Sequence, residues 1–351
     1  MRILYFGIYN PEYSRNRVLI KGLKANGAKV FECRVSAHNR LRYIKLLWQF
    51  MRSPSFDCMI VGFPGQEVMF LARCITRKPI IFDAFTSHYG GYILDKQYFS
   101  RSSFRAKYYR FLDTWSCRLA DLVLLDTNAH IDFFIHEFKL PIKKFRRLFV
   151  GTDSDVFYPK KLENTNSFLI HFHGNYIPLQ GVKYIIQAAK LLENSGIHFN
   201  LIGRGQTYGH DSALAQSLKS NNISFLDPVP YHILPTYIHK ADICLGIFGE
   251  TDKTELVIPN KVFEALACKK PIITSDTKAM RELPNIDKSV LLCRQADSSD
   301  LADKILTLKN DHQLRNKISE NGYELFRNEL TELKIGLKLK NIIYESGLLQ
   351  Q

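Results

Sequence analysis

Residues 249–284, GETDKTELVIPNKVFEALACKKPIITSDTKAMRELP, read as loop, helix, strand and loop. Pro259 suits a first helical position, where a missing N–H leaves nothing unpaired. Val262, Phe263, Ala265, Leu266 and Ala267 then make a short buried helix. Lys269-Lys270-Pro271 ends it, with cations at the negative helix end, and Ile272-Ile273 begins a buried strand. Polar residues gather at the helix start: Asn260, Lys261 and Glu264. Lys261 and Glu264 are three apart and share a face. No Ser, Thr or Asp caps this helix, so its first N–H groups are available to an anion. The competing reading is an ordinary core helix with a surface Lys–Glu pair.

Outward from this stretch, short apolar runs alternate with helical patterns. Strands are expected at 2–8, 28–35, 57–62, 79–83 and 121–125. After a crossover at 150–160 (VGTDSDVFYPK) the pattern repeats, with strands at 167–173, 197–202, 223–226 and 242–247. Such alternation predicts parallel sheets covered on both faces. The fold expected is α/β, with two facing Rossmann-like βα domains at 1–155 and 156–328. A last helix within 329–351 is expected to cross back to the first domain. Ligands belong at the carboxyl ends of the strands. In the first half those ends carry Gly7, Gly62 with Pro64, Asp83 through His88, and Asp126.

Composition narrows the function. At 351 residues with 46% hydrophobic content the chain has ample core for two domains, and no apolar run reaches the ~20 residues of a membrane span. MRILYFGIYN enters a strand without a signal-peptide pattern. The seven cysteines never fall in C-x-x-C spacing, which reads as reduced thiols in a cytoplasmic protein. The net charge of +14 is lopsided: residues 1–155 hold 25 Lys/Arg against 13 Asp/Glu, the remainder 23 against 21. An anionic partner for the first half follows. In RLRYIKLLWQFMR (40–52), Leu41, Ile44, Leu47, Trp48 and Met51 form one stripe flanked by Arg40, Arg42, Lys45 and Arg52. RSSFRAKYYRFLDTWSCR (101–118) mixes the same residue types. Both suit an interfacial helix on anionic lipid, with Trp48 among the membrane-facing residues. The alternative packs the stripe on the sheet and leaves the cations as a solvated face. Nucleic acid is not expected, because no binding motif appears.

Four stretches together resemble the group 1, or GT4-like, glycosyltransferases of the GT-B fold. VGTDSDVFYP looks like the family's Gly-(Val/Thr)-Asp-x-x-x-Phe-x-Pro segment. HGNYIPLQGVKYIIQAAKLL looks like its glycine loop and following helix, FNLIGRGQ like its strand with a Gly-x-Gly turn, and PNKVFEALACKKPIITSD like its Glu-Ala-x-Ala-x-Gly-x-Pro signature. The resemblance implies transfer of a sugar from a nucleotide diphospho-sugar, with retention at the anomeric carbon and no required metal or other cofactor. The second domain would hold the donor and the first the acceptor. Glu264 matches the glutamate that binds the donor ribose, Gly174 the glycine under the diphosphate, and Gly203 with Gly205 the second turn. Asp83 and His88 match first-domain residues facing the reacting sugar and acceptor, and His88 is the better candidate for positioning or proton transfer. Gly7 lies at a strand end, and Arg15, in the loop beside it, is placed to reach phosphate.

The departures from the family concern charge. Its loop carries an Arg and a Lys that neutralise the diphosphate; Asn175 and Gln180 stand there. Neutral contacts are about half as strong as charge-assisted ones. Lys253, Lys261 and Arg204 are the replacement cations, with Asn260 at the helix start. Leu256 occupies the place of an earlier family glutamate, which leaves Glu250 or Glu255 as substitutes, and Lys269 replaces the signature's glycine. Asp153-Ser154-Asp155 has a metal-binding Asp-x-Asp form, but it lies in the crossover and reads as a turn. The expectation is a retaining glycosyltransferase, peripheral on the inner face of a membrane, acting on a glycan or lipid-linked acceptor. The alternatives are a nucleotide-sugar epimerase or hydrolase of the same fold, and a non-catalytic nucleotide-sugar or glycan-binding subunit.

Overall fold

A computed structural model describes residues 1–160 and 167–349. The chain divides into two compact units, Met1–Asp153 with Leu330–Gln351, and Ser154–Glu329.

The first unit carries six parallel strands: β1 (Arg2–Gly7), β2 (Lys29–Arg34), β3 (Cys58–Val61), β4 (Ile80–Phe85), β5 (Leu122–Leu125) and β6 (Phe145–Arg147). Their order is β2-β1-β3-β4-β5-β6. The helices are α1 (Ser14–Ala25), α2 (Arg42–Met51), α3 (Met69–Ile75), α4 (Phe104–Leu119) and α5 (Asn128–Phe138). Strands β1, β3, β4 and β5 are almost wholly buried and, apart from Arg2 at the start of β1 and Asp83 in β4, carry no charged residue, as a sheet covered on both faces requires. The chain steps outward once, from β1 to β2, and then runs the other way. Right-handed crossovers therefore put α1 on one face and α2 to α5 on the other.

The second unit has β7 (Phe168–His173), β8 (Ile197–Ile202), β9 (Ile223–Leu226), β10 (Ile243–Leu245), β11 (Ile272–Ser275) and β12 (Leu291–Cys293), ordered β12-β11-β10-β7-β8-β9. Its helices are α6 (Val182–Leu191), α7 (Tyr208–Ser217), α8 (Leu234–Lys240), α9 (Asn260–Ala267), α10 (Ile286–Ser289), α11 (Ser298–Asn310) and α12 (His312–Leu325). Lys269 takes φ +57° just past α9, the left-handed position usually given to glycine. That is the physical content of the replaced signature glycine.

The last helix, α13 (Glu332–Glu345), belongs to the first unit and packs on α1. The two backbones touch at glycines. A Cβ on Gly22 would lie 2.1 Å from the Glu332 carbonyl oxygen, and one on Gly336 would lie 2.1 Å from the Gly22 carbonyl carbon. Thr331 caps α13 by accepting from the Lys334 N–H at 3.2 Å.

In each sheet the strand order reverses direction, which opens a crevice at the carboxyl ends. In the first unit the reversal lies between β1 and β3, beside Gly7 and Gly62. In the second it lies between β7 and β10, beside Gly174 and Gly246.

Candidate functional site

The second crevice receives two side chains from α9. Lys261 is 5% exposed. Its ammonium donates to Gln180 Oε1 and to the Gly246 carbonyl oxygen at 3.4 Å, and it stands 3.8 Å from the centroid of the Phe172 ring. No carboxylate forms an ion pair with it among the described residues. A buried ammonium served by neutral acceptors is poorly solvated. Burial accordingly holds Lys261 well below the ordinary lysine value of 10.5, with Glu264 pulling weakly the other way.

Gly174 faces this ammonium: a Cβ there would lie 3.0 Å from Lys261 Nζ and 3.3 Å from Gln180 Oε1. Gly203 and Gly205 answer a different need. A Cβ on Gly203 would lie 1.9 Å from the Gly174 carbonyl oxygen, and one on Gly205 2.6 Å from that of Tyr176. The Gly-x-Gly turn thus packs backbone to backbone against the Gly174 loop and supports it. Neither α6 nor α9 has a side-chain cap; Gly181 and Pro259 precede them. Their first N–H groups remain available to an anion.

Glu264 is 4% exposed, and its Oε2 lies 2.7 Å from His173 Nε2. His173 Nδ1 lies in turn 2.9 Å from His171 Nε2. The sequence reading missed both histidines. Their signal was present: two polar residues at alternate positions of an apolar strand point to one face.

The other donor-side residues are more scattered. Asn175 is exposed, and Asn260 and Lys253 are half-buried. Arg204 Nη2 pairs with Asp227 at 2.7 Å, and its guanidinium lies 3.9 Å from the Tyr208 ring centroid, so its charge is already engaged. Glu250 pairs with Lys183 at 2.8 Å, and Glu255 accepts the Lys278 N–H at 3.0 Å.

In the first unit, two expectations change. Arg15 does not reach outward from a loop. It lies in the first turn of α1, wholly buried, and its guanidinium forks onto Asp83 at 2.8–3.1 Å and onto the carbonyl oxygens of Leu148 and Phe149 at 2.7 and 3.0 Å. Asp83 is equally buried and serves as the partner of Arg15, so it presents no free oxygen to a reacting sugar. The sheet interior took the pair because each charge satisfies the other. Asp153 is likewise covered by Arg17 and Lys21.

His88 keeps its candidacy. Its backbone N–H donates to Asp113 at 3.1 Å, and its ring stands 5.8 Å from Tyr92 and 6.0 Å from Tyr109. Burial pushes its pKa down, and its Nδ1 has no partner among the described residues. A neutral imidazole with a bare nitrogen can accept a proton.

The stripe on α2 does not pack on the sheet. Leu46 is the one residue of α2 that is buried, while Ile44 and Met51 are 66% and 69% exposed, and Leu41, Leu47 and Trp48 are exposed too. On α4, Phe104 is 82% exposed, with Tyr108, Phe111 and Trp115 beside it on the surface. The two surfaces join. Arg42 and the Tyr43 hydroxyl both reach Glu67 at 3.3 Å, and Phe70 stacks on Phe111 at 6.1 Å. Cations ride on this face, with the Arg52 guanidinium 3.6 Å from the Trp48 ring centroid and Arg40 and Lys45 exposed. Among the described residues no helix is long and apolar enough to cross a membrane.

Comparison with known proteins places this geometry. The family model for glycosyl transferases group 1 matches residues 153–325. An uncharacterized glycosyltransferase of Methanocaldococcus jannaschii is 24% identical over 184 residues, covering 50% of this chain and 47% of its own. The chain spans about half the length of the curated relatives it matches. Among solved structures, sucrose-phosphate synthase from Thermosynechococcus elongatus superposes with a TM-score of 0.74 at 13% identity, over 98% of both chains. The Anabaena protein HepE, in complex with UDP and glucose, superposes with a TM-score of 0.74 at 15% identity, over 98% of this chain and 100% of its own. At these identities the likeness is one of fold, the two-domain α/β GT-B fold.

Proposed function

Because residues 153–325 match the family model for glycosyl transferases group 1, we propose that the chain moves a sugar from a nucleoside diphospho-sugar to an acceptor hydroxyl, retaining the anomeric configuration and needing no metal. The observation that carries this reading is Lys261. It is a buried cation without a counter-ion among the described residues, beside a sheet crevice, facing a glycine and two uncapped helix starts. A diphosphate would supply the missing negative charge. The lysine on α9 thereby replaces the cations that the loop at Asn175 and Gln180 lacks, and Gln180 holds it in place. That HepE was solved with UDP supports a nucleoside diphosphate as the ligand.

In the proposed reaction the acceptor oxygen bonds to the anomeric carbon on the face from which the diphosphate departs. The bond from that carbon to the phosphate oxygen breaks. The hydroxyl proton passes to the departing diphosphate, and the products are a glycoside and a nucleoside diphosphate. Lys261, its ammonium charged, and the free amides of α6 and α9 stabilise the charge growing on the leaving group. Glu264 accepts from the ribose hydroxyls. In the first unit, His88 orients the acceptor.

The acceptor is proposed to be a lipid-linked sugar at the inner face of a membrane. The exposed aromatic stripe of α2 and α4, rimmed by Arg40, Arg42, Lys45 and Arg52, supports docking on an anionic bilayer. Calorimetric titration with UDP, GDP and ADP tests the donor site. At least one should bind, and none binding would sink the proposal. Flotation with vesicles containing anionic phospholipid tests the surface: wild type should float, and a variant with Trp48 and Ile44 changed to Ser should not.

A further inference from the structure

We infer that His173 is a positioning residue for Glu264 and that His171 fixes its direction. This rests on the donor reading above. Glu264 is nearly sealed, and a buried carboxylate needs donors. His173 Nε2, at 2.7 Å, is the hydrogen-bond donor that the described residues offer it. The neighbouring ammonium of Lys261 is committed to Gln180 and Gly246.

The chain of three has one consistent polarity. If His173 donates from Nε2 as a neutral ring, its Nδ1 is an acceptor. His171 must then donate from Nε2 across the 2.9 Å contact. That leaves His171 Nδ1 as a bare nitrogen, and this atom is buried without a partner among the described residues. The reverse polarity would bury an N–H with no acceptor at that spot and point a lone pair at the Glu264 carboxylate. Two buried groups would go unpaired instead of one weak acceptor. A doubly protonated His173 meets the same obstacle, because it would donate its Nδ1–H to His171 Nε2 and so leave a buried His171 Nδ1–H with no acceptor among the described residues. Burial and the nearby His173 and Lys261 hold His171 neutral, which agrees with this arrangement.

The consequence is a carboxylate with one oxygen tied and one free. Oε2 is held by His173, while Oε1 makes no hydrogen bond among the described residues. The hydrogen bond restrains rotation of the carboxylate, which leaves Oε1 as the oxygen a ligand can use. A site residue held this way meets its ligand without reorganisation.

The test has two arms, both on the full chain. Nitrogen-15 NMR of labelled histidine, assigned by single substitutions, distinguishes a protonated ring nitrogen from a bare one. His171 and His173 should each carry their proton on Nε2 in the unliganded protein; a proton on Nδ1 of either overturns the inference. Calorimetry then separates aiming from packing, using UDP, GDP and ADP. For whichever binds wild type, His173→Phe should weaken binding roughly 10- to 100-fold, the equivalent of one hydrogen bond to a charged group. His173→Gln, whose amide can still donate to Glu264, should recover most of that loss. Equal affinity in all three proteins overturns the inference. If none of the nucleotides binds wild type, the donor reading fails, and the NMR arm still decides the polarity of the relay.

Discussion

Arg15 and Lys261 are both cations sealed at the heart of a βα unit, and their surroundings are opposite. Arg15 has a carboxylate in its fork and two carbonyl oxygens behind it. Lys261 has one amide oxygen, one distant carbonyl and a ring. The first arrangement is complete, and nothing remains for a ligand to supply. The second is short by one negative charge. The contrast teaches where to look: a buried charge marks a binding site when its neighbours leave it unbalanced, not because it is buried.

The contrast can be broken by substitution. Arg15→Met strands Asp83 as a lone buried carboxylate and should cost about 3–5 kcal/mol, read as a lower urea midpoint for the first unit. Adding Asp83→Leu should recover most of that loss, because removing both charges leaves none unpaired. Lys261→Met should do the reverse. Nucleoside diphosphate affinity should fall about 100-fold, roughly 2.7 kcal/mol, with a melting temperature equal to or above wild type. A clear drop in melting temperature there would show that the lysine serves stability instead. Gln180→Glu closes the open cation in the manner of Arg15. It should raise the melting temperature and weaken nucleotide binding about tenfold, since a fixed carboxylate now competes with the phosphate.

The smallest effect is on pH dependence. The folded state holds the Lys261 pKa below its ordinary 10.5, so between the depressed value and 10.5 the unfolded chain binds more protons. Stability of the unliganded protein should therefore rise with pH through that window. Affinity for the anion should move the other way and weaken as the lysine loses its proton. Lys261→Arg should flatten the affinity profile in calorimetric titrations across the same range.

Much of the fold was legible because it rests on short-range pattern. Apolar runs with helical segments between them announce parallel strands, and the uncapped start of α9 could be read from the lack of Ser, Thr or Asp there, although Pro259 precedes the first helical position rather than filling it. Glu264 and Lys261 were found as neighbours on one helix turn. What could not be read is pairing over long separations. Arg15 meets Asp83 across 68 positions, Lys261 meets Gln180 across 81, and His173 meets Glu264 across 91. Nothing local distinguishes an arginine aimed outward from one folded under a sheet. The stripe of α2 shows the same limit from the other side. Its spacing was plain, but whether it met the sheet or the solvent depended on how much area the neighbouring strands left to cover.

The glycine crossing of α13 on α1 sets an order of events. Residues 330–345 complete the unit that the first 153 residues began. On the ribosome the 154–329 segment must be made in between, which takes roughly 10–35 s at ordinary translation speeds. For that interval the Gly22 face of α1 lacks its α13 neighbour, and by its end the later unit possesses every one of its described strands and helices. The part of the protein made first is therefore finished last.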